Sequence, residues 1–122
     1  MPEQEKLVIM VTHGPAEPEL ATVPFAMAGA AVASDVEVVM GFQADGCLLV
    51  QKGVAESVKA PRFTSISELL PAIQELGGKI LGCAPSLESR GLHQEDLVDG
   101  AEIVAAARFV AEVTSATNSL VY

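Results

Sequence analysis

Short apolar runs separated by helical segments narrow the fold of this chain more than any other feature. Residues 6–12 read Lys-Leu-Val-Ile-Met-Val-Thr, apolar at nearly every position. A strand with one wet face alternates, whereas a strand covered on both faces need not. Residues 35–42 and 79–83 read as further strands, and 119–122 as a terminal one after a turn at Asn118. Glu17-Pro18-Glu19 offers a helix start, with proline and acidic residues in the first turn, and residues 20–33 continue it. Residues 67–76 read as an amphipathic helix, with Leu69, Leu70, Ile73 and Leu76 at spacings of three and four. Ser67 is its expected N-cap, Pro71 is tolerable in its first turn, and Gly77-Gly78 stops it. Residues 104–114 read as a last helix, with Phe109 and Val113 on one face. Four segments stay open: 47–50 is too short to assign, 51–61 is loop or irregular helix, 91–98 is a short helix or turn, and 101–105 is a strand or a helix start. Short buried strands alternating with helices imply an α/β fold, a mostly parallel sheet of about five strands between helical layers. Residues 1–122 read as one domain.

Aromatic residues are only 4% of the chain and tryptophan is absent, so the core must be built from Val, Leu, Ile, Ala and Met. The helix at 20–33 is apolar around most of its circumference, and such a helix is covered on more than one side. In a small domain the extra cover comes from another subunit, so a homo-oligomer is expected. The longest uncharged stretch, residues 20–34, contains Pro24 and falls short of the roughly 20 residues that span a bilayer. The start, Met-Pro-Glu-Gln-Glu-Lys, is not a positively charged signal region. A net charge of −9, with Lys and Arg scattered, argues against nucleic acid and anionic membranes as partners. Two cysteines, Cys47 and Cys83, make no disulfide framework, and with His13 and His93 as the only histidines there is no metal-ligand spacing. A cytoplasmic protein with reduced thiols is expected.

The chemistry concentrates at Gly78-Lys-Ile-Leu-Gly-Cys-Ala-Pro-Ser-Leu-Glu-Ser-Arg-Gly-Leu92. Cys83 ends an apolar run, and a turn and possible helix start follow. Ligands of α/β proteins bind where strands end and helices begin. A thiol there can meet unpaired helix N–H groups, which favour the thiolate. The plainer reading of Cys83 is a small buried hydrophobe. Parallel strands end on one edge, so His13, Asp45 and Cys83 fall along one rim. His13 can polarise a thiol or bind an anion, or simply cap a turn. Asp45-Gly46 reads as turn chemistry. Arg90 either faces a bound anion or persulfide, or is solvated before Gly91. Cys47 reads as a buried structural thiol with its side chain in the core, and His93 as a surface residue. Ser86 stands where a redox Cys-x-x-Cys would have its second thiol, so dithiol exchange within this motif is not available. Phosphate-binding, dinucleotide and serine-nucleophile motifs are absent from the sequence.

Taken in order, several marks resemble the DsrE/DsrF-like family of small sulfur-relay proteins, which includes the TusD-type subunits. They are Thr12-His13-Gly14-Pro15 followed by Ala21-Thr-Val-Pro-Phe25, then Asp45-Gly46 with Leu48-Leu-Val50. Gly77-Gly-Lys-Ile80 leading into Cys83, Ser89-Arg-Gly91 and Leu97-Val-Asp-Gly-Ala101 complete them. The resemblance implies a three-layer α/β/α sandwich and assembly into homotrimers or homohexamers. It also implies a cysteine, matching Cys83, that accepts sulfane sulfur as a persulfide from a donor protein and hands it to an acceptor protein. Many relatives carry a second cysteine where this chain has Ser86, a departure that leaves single-cysteine transfer intact. The expected activity is that of a sulfur carrier or sulfurtransferase with Cys83 as nucleophile and His13 and Arg90 as electrostatic helpers. It requires no metal and no organic cofactor. The competing reading is a non-catalytic oligomeric module that holds a small anion or nucleotide at the rim.

Overall fold

The apolar runs form strands in the computed structural model, which describes residues 4–122. Met1–Glu3, the first half of the segment read above as no signal region, lie outside the described residues. The strands are β1 (Lys6–Val11), β2 (Glu37–Phe42), β3 (Lys79–Cys83), β4 (Ala101–Val104) and β5 (Asn118–Val121). They make one sheet in the order β4-β3-β2-β1-β5, and every neighbouring pair is parallel. Helices cross between parallel strands and cover both faces, which is why the inner strands β1, β2 and β3 are apolar beyond their first residue, while the edge strands β4 and β5 carry exposed polar residues. Val8, Ile9, Val11, Val38, Val39 and Met40 are each no more than 1% exposed.

Side chains alternate between two cores. Ile9, Val11, Val38, Met40, Phe42 and Ile80 belong to the larger one, with Phe25 and Ala28 of α1 (Pro18–Ala33) and Ile66 and Ile73 of α2 (Ile66–Glu75). Phe25 and Phe42 anchor it, their ring centroids 5.7 Å apart, so the few aromatics do enter a core that the composition assigned to aliphatic residues and Met. Val8, Met10, Val39, Leu81 and Val104 form the smaller core on the opposite face, closed by Phe109 of α4 (Ala106–Thr114). A sheet between two helical layers is the three-layer arrangement expected.

Local details depart from the periodicity. The α2 N-cap is Ser65, not Ser67, because Ile66 is fully buried and draws its turn into the helix. Ser65 and Ser67 hydroxyls bond each other at 3.1 Å instead of capping. This start moves Pro71 past the first turn, to a site exposed to solvent. Leu76, which the spacing puts on the buried face, follows the helix and is 62% exposed. Residues 101–104 resolve as strand, and 47–50 join a 3-10 turn, Ala44–Val50. Among the described residues no helix is long and apolar enough to cross a membrane.

At the opposite edge from the strand ends, charges pin α4 to the sheet. Glu112 is 8% exposed and receives Lys6 Nζ at 2.7 Å and Arg108 Nε at 2.6 Å. Hydrogen bonds from Lys6 and then from Arg108 hold its carboxyl below the ordinary value of 4.5. The carboxylate therefore stabilises the fold fully above about pH 4.5, and the contribution is lost as pH falls through the lowered folded value. Glu112→Gln should lower the melting temperature at neutral pH, with the gap to the parent narrowing in acid. Thermal denaturation across pH measures this, and a gap independent of pH would mean that the carboxylate is not paired in solution.

Candidate functional site at the strand-end rim

The parallel sheet brings all strand C-termini to one edge, and the register levels them. Val11 pairs with Phe42, and Phe42 with Gly82, so Thr12, Gln43 and Cys83 leave the sheet side by side. The Ala44–Val50 turn folds directly over the end of β1. A Cβ on Gly46 would lie 2.1 Å from the Val11 carbonyl oxygen, and one on Gly14 2.3 Å from that of Asp45. The two loops pack that closely because neither residue has a side chain. Ala44 adopts φ 50°, in the left-handed region, to begin the turn.

Cys83 is both the last residue of β3 and the N-cap position of α3 (Ala84–Glu88), with extended backbone and a half-buried side chain. Pro85 fits the first turn of α3, where its missing N–H costs nothing. Two contacts fasten this segment to the Ala44–Val50 turn. The Ala44 N–H donates to Ser86 Oγ at 3.0 Å, and Arg90 Nη2 donates to Asp45 Oδ1 at 2.8 Å. Arg90 Nη1 also donates to the Ser86 carbonyl at 2.9 Å and to Ser89 Oγ at 3.2 Å. Asp45 thus does more than shape a turn: it orients the Arg90 guanidinium. With the Asp45 side chain 64% exposed, the pair adds little stability and serves as a positioning contact. Ser86, notable in the sequence only for the thiol it lacks, is the acceptor that joins the two loops.

Cys47 is fully buried, and its Sγ donates to the Phe42 carbonyl at 3.1 Å. Burial pushes this thiol up; the Cys83 backbone N–H opposes that, the Cys83 sulfur adds to it, and the Arg90 charge and Ser86 hydroxyl oppose it. The same contacts locate the sulfur. Cys47 is in the core, as its apolar surroundings suggested, but directly behind the Cys83 segment. Distance along the chain hid that neighbour, and only the placement of β3 beside β2 reveals it.

His13 follows β1 on the same rim. With β2 between β1 and β3, strand spacing puts its backbone about 10 Å from that of Cys83. Its Nδ1 is buried without a hydrogen-bond partner among the described residues. The fold therefore gathers Cys83, Ser86, Arg90, Asp45 and Cys47, with His13 one strand along from Cys83 and beside Gly14, which packs on Asp45. His93 is exposed and its N–H donates to Asp96 Oδ2 at 2.8 Å, as befits a surface turn. Among the described residues no group of three His, Cys, Asp or Glu side chains is arranged to hold a metal ion.

The family model of the DsrE/DsrF-like family matches residues 5–122. The uncharacterized protein MJ0760 of Methanocaldococcus jannaschii is 33% identical over 106 residues, 87% of this chain. The match spans only 38% of that relative's length. MJ0989 of the same organism is 27% identical over 96% of this chain and 99% of its own. The crystal structure of the E. coli ychN protein superposes with a TM-score of 0.83 at 20% identity, covering 98% of this chain and all of that one. MTH1491 from Methanobacterium thermoautotrophicum gives 0.75 at 13% identity, with coverage of 98% and 100%. At these identities the two structures establish a shared fold.

Proposed function

The chain belongs to the DsrE/DsrF-like family, and from that premise we propose that it carries sulfur, with Cys83 as the site of a persulfide. One observation supports Cys83 over the other thiol. It is partly accessible at the strand-end rim, while Cys47 is fully buried. The Cys83 thiolate attacks the outer sulfur of a donor protein's persulfide. A sulfur–sulfur bond forms on Cys83, the donor's own breaks, and the donor cysteine leaves as thiolate. An acceptor protein's thiolate then takes the outer sulfur in the same way, restoring Cys83. Arg90, held in place by Asp45 and Ser86, contributes positive charge near the persulfide anion, and His13 is a second electrostatic helper. Neither metal nor organic cofactor enters this exchange.

The working unit in this reading is a homotrimer or a dimer of trimers in the cytoplasm, where thiols stay reduced. Leu20 and Met27 of α1, 44% and 42% exposed, are apolar side chains that a second subunit would cover.

Intact mass after exposure to polysulfide under non-reducing conditions tests the carrier reading, with light scattering on the same sample for the assembly. The expected result is one added sulfur per chain, mapped to Cys83, on an oligomer. An unmodified Cys83 with a small anion or nucleotide retained would replace the carrier with a binding module. A monomer at micromolar concentration would remove the assembly.

A further inference from the structure

Cys47 is a second nucleophile for which simple carriage has no use. It is buried but not remote. Its Sγ lies 3.1 Å from the carbonyl of Phe42, and Phe42 pairs with Gly82 across the β2–β3 seam. Neighbouring strands run about 4.8 Å apart, and Cys83 is the next residue along β3. Cys83, at the end of β3, packs against both cores, the one that holds Cys47 among them, and the Ala44–Ser86 and Asp45–Arg90 bonds clamp the two segments together. Cys47 sits on the turn that follows β2, and its sulfur has the Cys83 N–H and the Cys83 thiol among its neighbours, the proximity a disulfide requires. From this placement, and resting on the carrier reading for the persulfide, we propose that Cys47 is the resolving thiol of Cys83. It supplies through space what Ser86 does not supply three residues along the chain.

The step is an exchange within one subunit. The Cys47 thiolate attacks the inner sulfur of the Cys83 persulfide. The bond between the Cys47 and Cys83 sulfurs forms, the bond to the outer sulfur breaks, and hydrosulfide leaves. The outer sulfur is reduced, the two cysteines are oxidised to an internal disulfide, and the Cys47 proton leaves with the sulfide. No outside oxidant is needed. At rest Cys47 is protonated, buried and bonded to Phe42, so the exchange is slow. An acceptor protein takes the sulfur first, and only unclaimed sulfur is discharged.

Desalted, polysulfide-treated protein should release sulfide and show a Cys47–Cys83 disulfide by non-reducing peptide mapping. Cys47→Ser should load equally and keep its sulfur about tenfold longer or more. Oxidised glutathione reads the resolving step without persulfide chemistry. Cys83 displaces one glutathione, Cys47 displaces the other, and the parent ends as the internal disulfide while Cys47→Ser stays glutathionylated. Parent protein that holds either adduct as long as folded Cys47→Ser does would make Cys47 an inert core thiol. If the variant does not fold, the parent alone decides, because a lasting mixed disulfide on Cys83 overturns the inference and an internal disulfide upholds it. Resolution by glutathione with no persulfide formed would uphold Cys47 and overturn the carrier. A Cys83 that reacts with neither reagent overturns both.

Discussion

Serine in place of Cys83 yields a folded protein that takes up no sulfur. The substitution exchanges sulfur for oxygen at a half-buried position that packs against both cores and makes no side-chain cap, so the stability loss should be about 1 kcal/mol. The chemical change is total. A hydroxyl at neutral pH does not supply the anion that attacks a persulfide, and the bond it would form to sulfur is not exchanged with thiols. Cys47 does not substitute, because at 0% exposure no donor protein's persulfide can reach it. Loading measured by intact mass should therefore fall to background in Cys83→Ser and stay at the parent level in Cys47→Ser. Loading that persists in Cys83→Ser, or disappears equally in both variants, would move the entry point to Cys47 or to the pair.

Gly46→Ala should be the most destabilising single-methyl addition at the rim. The new Cβ would meet the Val11 oxygen at 2.1 Å and its carbonyl carbon at 2.8 Å. Both atoms are backbone of β1, which is paired on both sides, to β2 and to β5. No flexible side chain can yield, so the turn must lift. We expect a loss of about 3 kcal/mol, at the upper end of what overpacking costs. That is a large part of the 5–15 kcal/mol, roughly, that holds a domain together. Lifting the turn also displaces Asp45 and Cys47, so Arg90 should lose its carboxylate partner. Gly53→Ala is the control. Gly53 has φ +84° with nothing within 4 Å of a built Cβ, so alanine there costs only the backbone strain of about 1 kcal/mol. Denaturant unfolding of the two variants compares clash with strain. Equal losses would mean that the turn does not rest on β1 in solution.

Several elements were legible because their causes are local. The unbroken apolar character of residues 6–12 reports cover on both faces whatever supplies it, which is why β1 and the parallel sheet could be read directly. A cysteine closing such a run, followed by a turn and Pro85, had to lie at the C-terminal edge. The position of Cys83 on the rim followed from that. Even the common rim of His13, Asp45 and Cys83 needed only the parallel sense of the strands.

Errors arose where a local rule met a tertiary preference. Ser65 and Ser67 are equally good caps by residue type, and the burial of Ile66 chose between them. Leu76 carries the right spacing but falls one residue beyond α2, where nothing covers it.

By itself, then, the sequence determined the α/β class, the parallel sheet and the thiol that ends β3. Periodicity and turn chemistry act within a few residues, and these features need no more. The tertiary structure alone decided which strands are neighbours. From that order come the Asp45–Arg90 pair, the Ala44–Ser86 bond, the separation of His13 from Cys83 and the closeness of Cys47 to Cys83. Short buried parallel strands are chemically alike and accept several permutations. The choice rests on how helices and loops pack over the whole sheet, and no stretch of local sequence records that choice.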